Sequence, residues 1–231
     1  MEFYIYFAGN NLTVHSFTEE NYLKAIFKLE QSKNATVSNS DLSKELGIQS
    51  ASVTDMLKKM AKKKFIHYEK SKGANLTEKG KQVAISIIRK HRLWELFLVE
   101  KLQFGWEEVH EIAEQLEHIH SEELINRLDS YLGHPKADPH GDPIPNSNGV
   151  FAKGKSLLLS EMKESSQGKF TGVVDHSPSF LSFLNKIGLN LGDSIKIKSI
   201  EEFDNSYTLQ LKGKIELTVS NKVANSILIS D

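Results

Sequence analysis

The chain has 231 residues, 39% of them hydrophobic and 26% charged, so it is long enough to bury a core and too apolar to remain disordered. It contains no cysteine, which excludes disulfides, thiolate metal ligands and cysteine nucleophiles; any metal site must be built from nitrogen and oxygen donors. The net charge of −1 hides two opposed blocks: residues 36–90 carry 12 Lys+Arg against 5 Asp+Glu, and residues 91–135 carry 3 against 10. The first block suits a polyanion and the second a cation.

In chain order, residues 1–15 are aromatic (Phe3, Tyr4, Tyr6, Phe7) without a basic leader and are read as an extension of unassigned role, not a signal peptide. Thr18 precedes a helical pattern of Tyr22, Leu23, Ile26, Phe27 and Leu29. Ser40 is the expected cap of a short helix, Asp41 to Leu46, which Gly47 stops. Gln49 or Ser50 opens the next, ending near Ala61. A hairpin follows over Phe65 to Leu76, with Lys72 and Gly73 at its turn. Thr77 caps a long helix to about Lys101, and one further helix is expected from Trp106 to Leu132. Four of the five prolines (Pro135, Pro139, Pro143, Pro145) fall between Gly133 and Lys155, a linker signature. Beyond it the period changes to two: strands are expected at Phe170–Val174, Ser194–Ile200, Tyr207–Leu211 and Ile215–Val219, with a helical turn at Phe180–Lys186, together a small barrel. No apolar run approaches the ~20 residues of a membrane helix.

Two segments carry chemistry. In the first, Leu42, Leu46, Ile48, Val53, Leu57 and Met60 are spaced as the core of two helices crossing at Gly47. The second helix would present Gln49, Ser50, Ser52, Thr54, Asp55 and Lys58 to the major groove. Lys59, Lys62, Lys63 and Lys64, with Lys70 and Lys72 on the hairpin, would form a phosphate-gripping rim. A helix pair alone is common elsewhere; followed by a lysine cluster and a basic hairpin it reads as a winged helix-turn-helix. In the second segment, His91 and Glu95 stand one helical turn apart, and His110, Glu114, Glu117 and His118 fall within an arc of about 100° on an ideal helix. Imidazoles and carboxylates without thiolate suit manganese, iron, zinc or cobalt. The spacing equally allows a solvated acidic face with incidental histidines, among which His120 and His134 are counted, or a helical di-metal carboxylate enzyme or metal carrier.

The order of parts resembles the diphtheria toxin repressor family of iron- and manganese-dependent regulators, over nearly all of Phe17 to Asp231. Its most specific stretches are Arg89-Lys90-His91-Arg92-Leu93 with Glu95, the Val109-His110 to Glu117-His118 block, and Gly141-Asp142-Pro143-Ile144-Pro145. The resemblance implies a mainly α protein with small β parts: a winged helix-turn-helix over 16–80, a helical metal-binding and dimerisation domain over 81–140, a linker over 141–155 and an SH3-like small β-barrel over 156–231. It implies one metal site from His91, Glu95 and His110, and another from Glu114, Glu117 and His118 with a ligand from the first helix, where this chain has Asn21 in place of the usual methionine or aspartate. Lys24, one turn on, cannot ligate while charged. Glu114 stands where iron-responsive members carry cysteine and manganese-responsive members glutamate, so Mn2+ is favoured over Fe2+, with Zn2+ or Co2+ able to substitute in vitro. His176 is expected to complete the first site, and Arg92 matches a position that holds an anion beside it. The function so implied is a cytoplasmic, homodimeric repressor of metal uptake that binds an inverted-repeat operator in double-stranded DNA. It would not be an enzyme and would have no membrane partner. The alternative is a winged-helix regulator sensing an organic ligand.

Overall fold

The computed structural model describes residues 4–6, 13–33, 35–152, 154–211 and 216–230. The chain divides into two compact units, one of residues 1–91, 114–128 and 145–150, the other of residues 92–113, 129–144 and 151–231. Helix α4 (Glu78–Leu102) and helix α5 (Val109–Leu116) each supply residues to both. Among the described residues no helix is long and apolar enough to cross a membrane.

The first unit opens with a short antiparallel pair, β1 (Tyr4–Tyr6) and β2 (Thr13–His15). Helix α1 (Phe17–Lys33) starts two residues earlier than Thr18 would place it, because Ser16 and Glu19 exchange hydrogen bonds: Ser16 N donates to Glu19 Oε2 and Glu19 N to Ser16 Oγ. The cap of α2 (Asn39–Leu46) is Ser38 rather than Ser40. Its hydroxyl accepts from Asp41 N while the Asp41 carboxylate accepts from Ser38 N, a complete capping box. Bonds from Lys33 and Ser38 hold the Asp41 carboxyl down at about 2. Gly47 takes the left-handed conformation (φ 65°) and ends α2, as expected. Helix α3 (Ser50–Lys62) packs on α2 through Val53, Leu57 and Met60, all fully buried with Leu42. The hairpin is β3 (Ile66–Glu69) and β4 (Gly73–Leu76), paired Ile66 to Leu76. Val37 makes a single antiparallel bridge to Ala74 of β4, completing a winged helix. Thr77 Oγ1 accepts from Gly80 N at the head of α4.

The single helix expected over Trp106–Leu132 is two helices. α5 ends at Leu116, and α6 (Glu122–Tyr131) begins after Ser121, whose hydroxyl accepts from Leu124 N. A new cap competes with continuation, so Glu117 and His118 lie in the turn between helices and the ideal-helix arc drawn for them does not apply.

The second unit is built on six antiparallel strands in the order β5-β10-β6-β7-β8-β9: β5 (Leu157–Leu158), β6 (Gln167–Val173), β7 (Ser194–Ile200), β8 (Tyr207–Gln210), β9 (Glu216–Val219) and β10 (Ile227–Ser230). Ile215, expected in the fourth strand, lies outside the described residues. The expected turn at Phe180–Lys186 is helix α7 (Pro178–Ile187), and a short α8 (Asn221–Ala224) precedes β10. Phe170, Ile195, Ile197, Leu209, Ile227 and Ile229 alternate into one core with Leu181 and Leu184 of α7. Register shifts at Leu228/Ile229 and Ile197/Ser199 bend the strands that carry them. The segment read as a linker is ordered by its own hydrogen bonds. Asp138 Oδ1 accepts from His140 N and Asp142 N, and Val173 N of β6 donates to His140 O.

Candidate metal centre and nucleic-acid interface

In the first unit the second turn of α1 faces the turn after α5. Lys24 Nζ donates to Glu114 Oε1 and, at 2.7 and 2.8 Å, to both oxygens of Glu117, which is fully buried. His91 Nδ1 lies 2.6 Å from Glu117 Oε2. Two carboxylates thus converge on one cationic point, occupied by the protein's own ammonium. Asn21 Oδ1 is buried without a hydrogen-bond partner among the described residues, as an unused acceptor on this helix. His118 directs Nε2 toward Glu117 Oε1 at 4.0 Å while Nδ1 bonds Glu20 Oε2. A carboxylate behind an imidazole fixes its tautomer and aims the other nitrogen, the usual support of a metal-ligating histidine. Burial pushes the Glu20 carboxyl up, but the His118 bond and the nearby His15 imidazole outweigh it and hold it down at about 2. The set Asn21, Glu114, Glu117 and His118 therefore fits a divalent cation in donor type, and the oxygen-rich balance suits a hard ion.

In the second unit Glu95, Asp138 and His140 are all buried, and one ligand-type atom from each lies within 4.8 Å of the others. His110 Nδ1 is 3.4 Å from Glu95 Oε1, and His140 Nδ1 is 3.5 Å from Glu95 Oε2. Burial, then the nearby Glu95 and Asp142, push Asp138 well above the usual carboxylate range. Burial works against protonation of His140, but Glu95 and Asp138 outweigh it and raise its pKa. The His176 ring lies tilted against the His140 ring, 5.1 Å between centroids, and 3.9 Å from Asp142. Arg92, expected to hold an anion, is taken up by internal acceptors: Asp142 Oδ2 at 3.1 Å and the Pro143 carbonyl.

The grouping therefore differs from the expected one in two respects. His91 pairs with Glu117 of the other expected set, and Glu95, beside its expected partner His110, also meets Asp138 and His140, which read as linker in the sequence. The signal for those two is weak: a short Asp-Pro-His-Gly run amid prolines reads as a turn.

On the winged helix, Gln49, Ser50, Ser52, Asp55, Lys58 and Lys59 are exposed. Thr54, expected to point outward, is half-buried; it accepts from Asn39 Nδ2 and donates to the Ser50 carbonyl, a bond that serves the helix and not a base. Lys58 approaches Asp55 (3.7 Å) and Lys72 pairs with Glu69 (2.8 Å) at the exposed hairpin. Lys59 and Lys63 both reach the fully buried Glu19 of α1, at 3.4 and 2.8 Å. Lys62, Lys64 and Lys70 are exposed.

These parts define a winged-helix protein with imidazole–carboxylate clusters on the following helices and a small C-terminal sheet unit. Comparison with known families agrees part by part: the N-terminal DNA binding domain of iron dependent repressors matches residues 16–74, their metal binding and dimerisation domain residues 77–146, and the FeoA domain residues 157–231. The chain belongs to the iron-dependent repressor family. It is 34% identical over 161 residues to the iron-dependent repressor IdeR of Mycobacterium leprae, covering 68% of this chain and 70% of that protein. With IdeR of Mycobacterium tuberculosis identity is 35% over 128 residues, and the chain spans 55% of that relative's length. Among solved structures, a manganese-dependent transcriptional repressor in complex with manganese superposes with a TM-score of 0.83 at 28% identity, covering 92% of this chain and 99% of the other. ScaR with bound Zn2+ superposes at 0.73 with 32% identity, covering 92% and 99%.

Proposed function

We propose that this chain is a cytoplasmic, homodimeric repressor that binds an inverted-repeat operator when loaded with a divalent metal, Mn2+ before Fe2+, and that it is not an enzyme. The observation that carries this is the convergence of Glu114 and Glu117 on one cationic point beside Asn21 and Lys24, in the compact unit that also holds the winged helix. Asn21, Glu114, Glu117 and His118 would hold one ion. His91, Glu95 and His110, with His176 behind them, are the ligands proposed for the other, and the gathering of Glu95 with His110, Asp138 and His140 supports an acidic, imidazole-bearing surround for it. The relatives named for manganese dependence, and the absence of sulfur among these donors, favour manganese. Bound 100-fold more tightly to the DNA-competent state, a metal contributes about 2.7 kcal/mol per site to operator binding.

The test is an electrophoretic shift titration with Mn2+, with Fe2+ under anaerobic conditions, and with chelator. Binding is expected to need metal and to be lost in His110→Ala and Glu117→Ala; binding indifferent to chelator would point instead to a regulator of organic-ligand type. Lys58→Ala combined with Lys59→Ala removes two phosphate contacts from α3, so the slope of log affinity against log[salt] is expected to flatten by about 2. An unchanged slope would show that these lysines point away from the duplex.

A further inference from the structure

We propose a third divalent-cation site in the first unit, formed by His15, Glu20 and His120 and selective for ions of the zinc class. Nothing in the centre described above uses these ligand atoms: His118 bonds Glu20 through Oε2, whereas Oε1 of the same carboxylate faces His15 Nε2 at 2.8 Å and His120 Nε2 at 3.3 Å. One atom from each of the three residues lies within 4.8 Å of the others. Tetrahedral bonds of 2.0–2.2 Å place neighbouring ligand atoms about 3.4 Å apart, inside that range.

Two observations separate this from a hydrogen-bonded cluster. Glu20 is fully buried, yet among the described residues its Oε1 has no partner of good hydrogen-bond geometry, despite two imidazole nitrogens within 3.3 Å. Atoms drawn together at the wrong angles for a proton between them are what a shared cation would satisfy. The three residues also line the wall of a cavity of about 480 Å³, with Ser121, Asn126 and Asn146 among its polar neighbours, which gives an ion a route in and room for a water as fourth ligand. Two imidazoles and one carboxylate make a nitrogen-rich set, preferring zinc, cobalt or copper over manganese, in contrast to the oxygen-rich set around Glu114 and Glu117. Occupancy would tie β2, the first turn of α1 and the turn before α6 to one centre. Lys90, on the same wall, is the competing positive charge.

The test uses the full-length protein saturated with Mn2+ and then titrated with Co2+, read by the visible d–d absorption of tetrahedral cobalt. One further equivalent of cobalt is expected in the parent. His15→Ala and His120→Asn should each weaken that equivalent about 100-fold or more, since changes merely behind a ligand already cost 10–100-fold. Lys90→Met should tighten it, and Glu114→Ala or His110→Ala should leave it in place. Thermal unfolding of the chelated proteins controls for folding, with His15→Ala as the milder variant because His15 precedes the helix. Equal cobalt stoichiometry and affinity in the parent, His15→Ala and His120→Asn would overturn the proposal.

Discussion

Lys24→Met is expected to tighten Mn2+ binding roughly tenfold to a hundredfold while destabilising the metal-free protein. In the structure the Lys24 ammonium bridges Glu114 and fully buried Glu117, and its own side chain is only 19% exposed. A metal that uses those carboxylates must first displace it, and each 1.4 kcal/mol of displacement is a factor of ten in affinity. Methionine keeps the volume and removes the charge, so the displacement cost disappears. The metal-free form loses the ammonium that both carboxylates share, and the loss of a buried partner costs about 3 kcal/mol. Calorimetric titration with Mn2+ and the melting temperature with and without metal read the two effects separately. The variant should melt lower than the parent in chelator and gain more on loading. Equal or weaker Mn2+ affinity in Lys24→Met would show that the ammonium and the ion do not compete.

Gly141→Ala is expected to lower the melting temperature by roughly 10 °C, through about 3 kcal/mol of lost stability. Gly141 sits at φ 89°, and a Cβ there would lie 2.0 Å from the Thr171 carbonyl oxygen and 2.4 Å from Gly172 Cα, both backbone atoms of β6. Neither can swing aside, so the 138–142 loop must lift. That loop carries Asp138 and His140 against Glu95, and Asp142 against Arg92, so the same change should loosen the cluster around Glu95. Gly133→Ala is the control. Its φ is 76° with nothing within 4 Å of the added carbon, which leaves backbone strain of about 1 kcal/mol alone. If the two variants melt alike, the close approach to β6 is not what Gly141 is for.

Much of the fold is legible in residue order because local rules and burial agree. Leu42, Val53, Leu57 and Met60 follow the helical period and are all fully buried, and Gly47 adopts the left-handed stop that its place demands. The turn after Leu116 is not legible in this way. Glu117 and His118 continue a helical stripe on paper, but Ser121 offers a competing cap, and a stripe of ligand-type residues carries no information about which of two overlapping structures wins. β10 and the two-residue β5 escape for a different reason. β10 pairs with β5 on one side and β6 on the other, joining segments far apart in sequence, and such short alternations look like many non-strands. At the site, residue types and spacing single out His91, Glu95, His110, Glu114, Glu117 and His118, but the partner each one takes depends on side-chain direction, which spacing does not encode. Thus Lys24, dismissed as a ligand because of its charge, is by that charge the resident counter-ion, and His15 and His120, the one in an unassigned extension and the other counted as incidental, share Glu20.

The first turns of α1 have a mechanical consequence. Glu19 holds Lys59 and Lys63 of the α3 end, Glu20 holds His118, Asn21 presents its amide oxygen, and Lys24 follows one turn later between two carboxylates. Four positions on a rigid rod cannot be moved independently. If an ion held at the proposed Asn21 ligand shifted the rod, Glu19 would move with it and restrain two lysines at the rim proposed to face the duplex less or more firmly. On the proposed reading, cation occupancy would be converted into phosphate-binding charge over a distance of a single helical turn, through α1 alone.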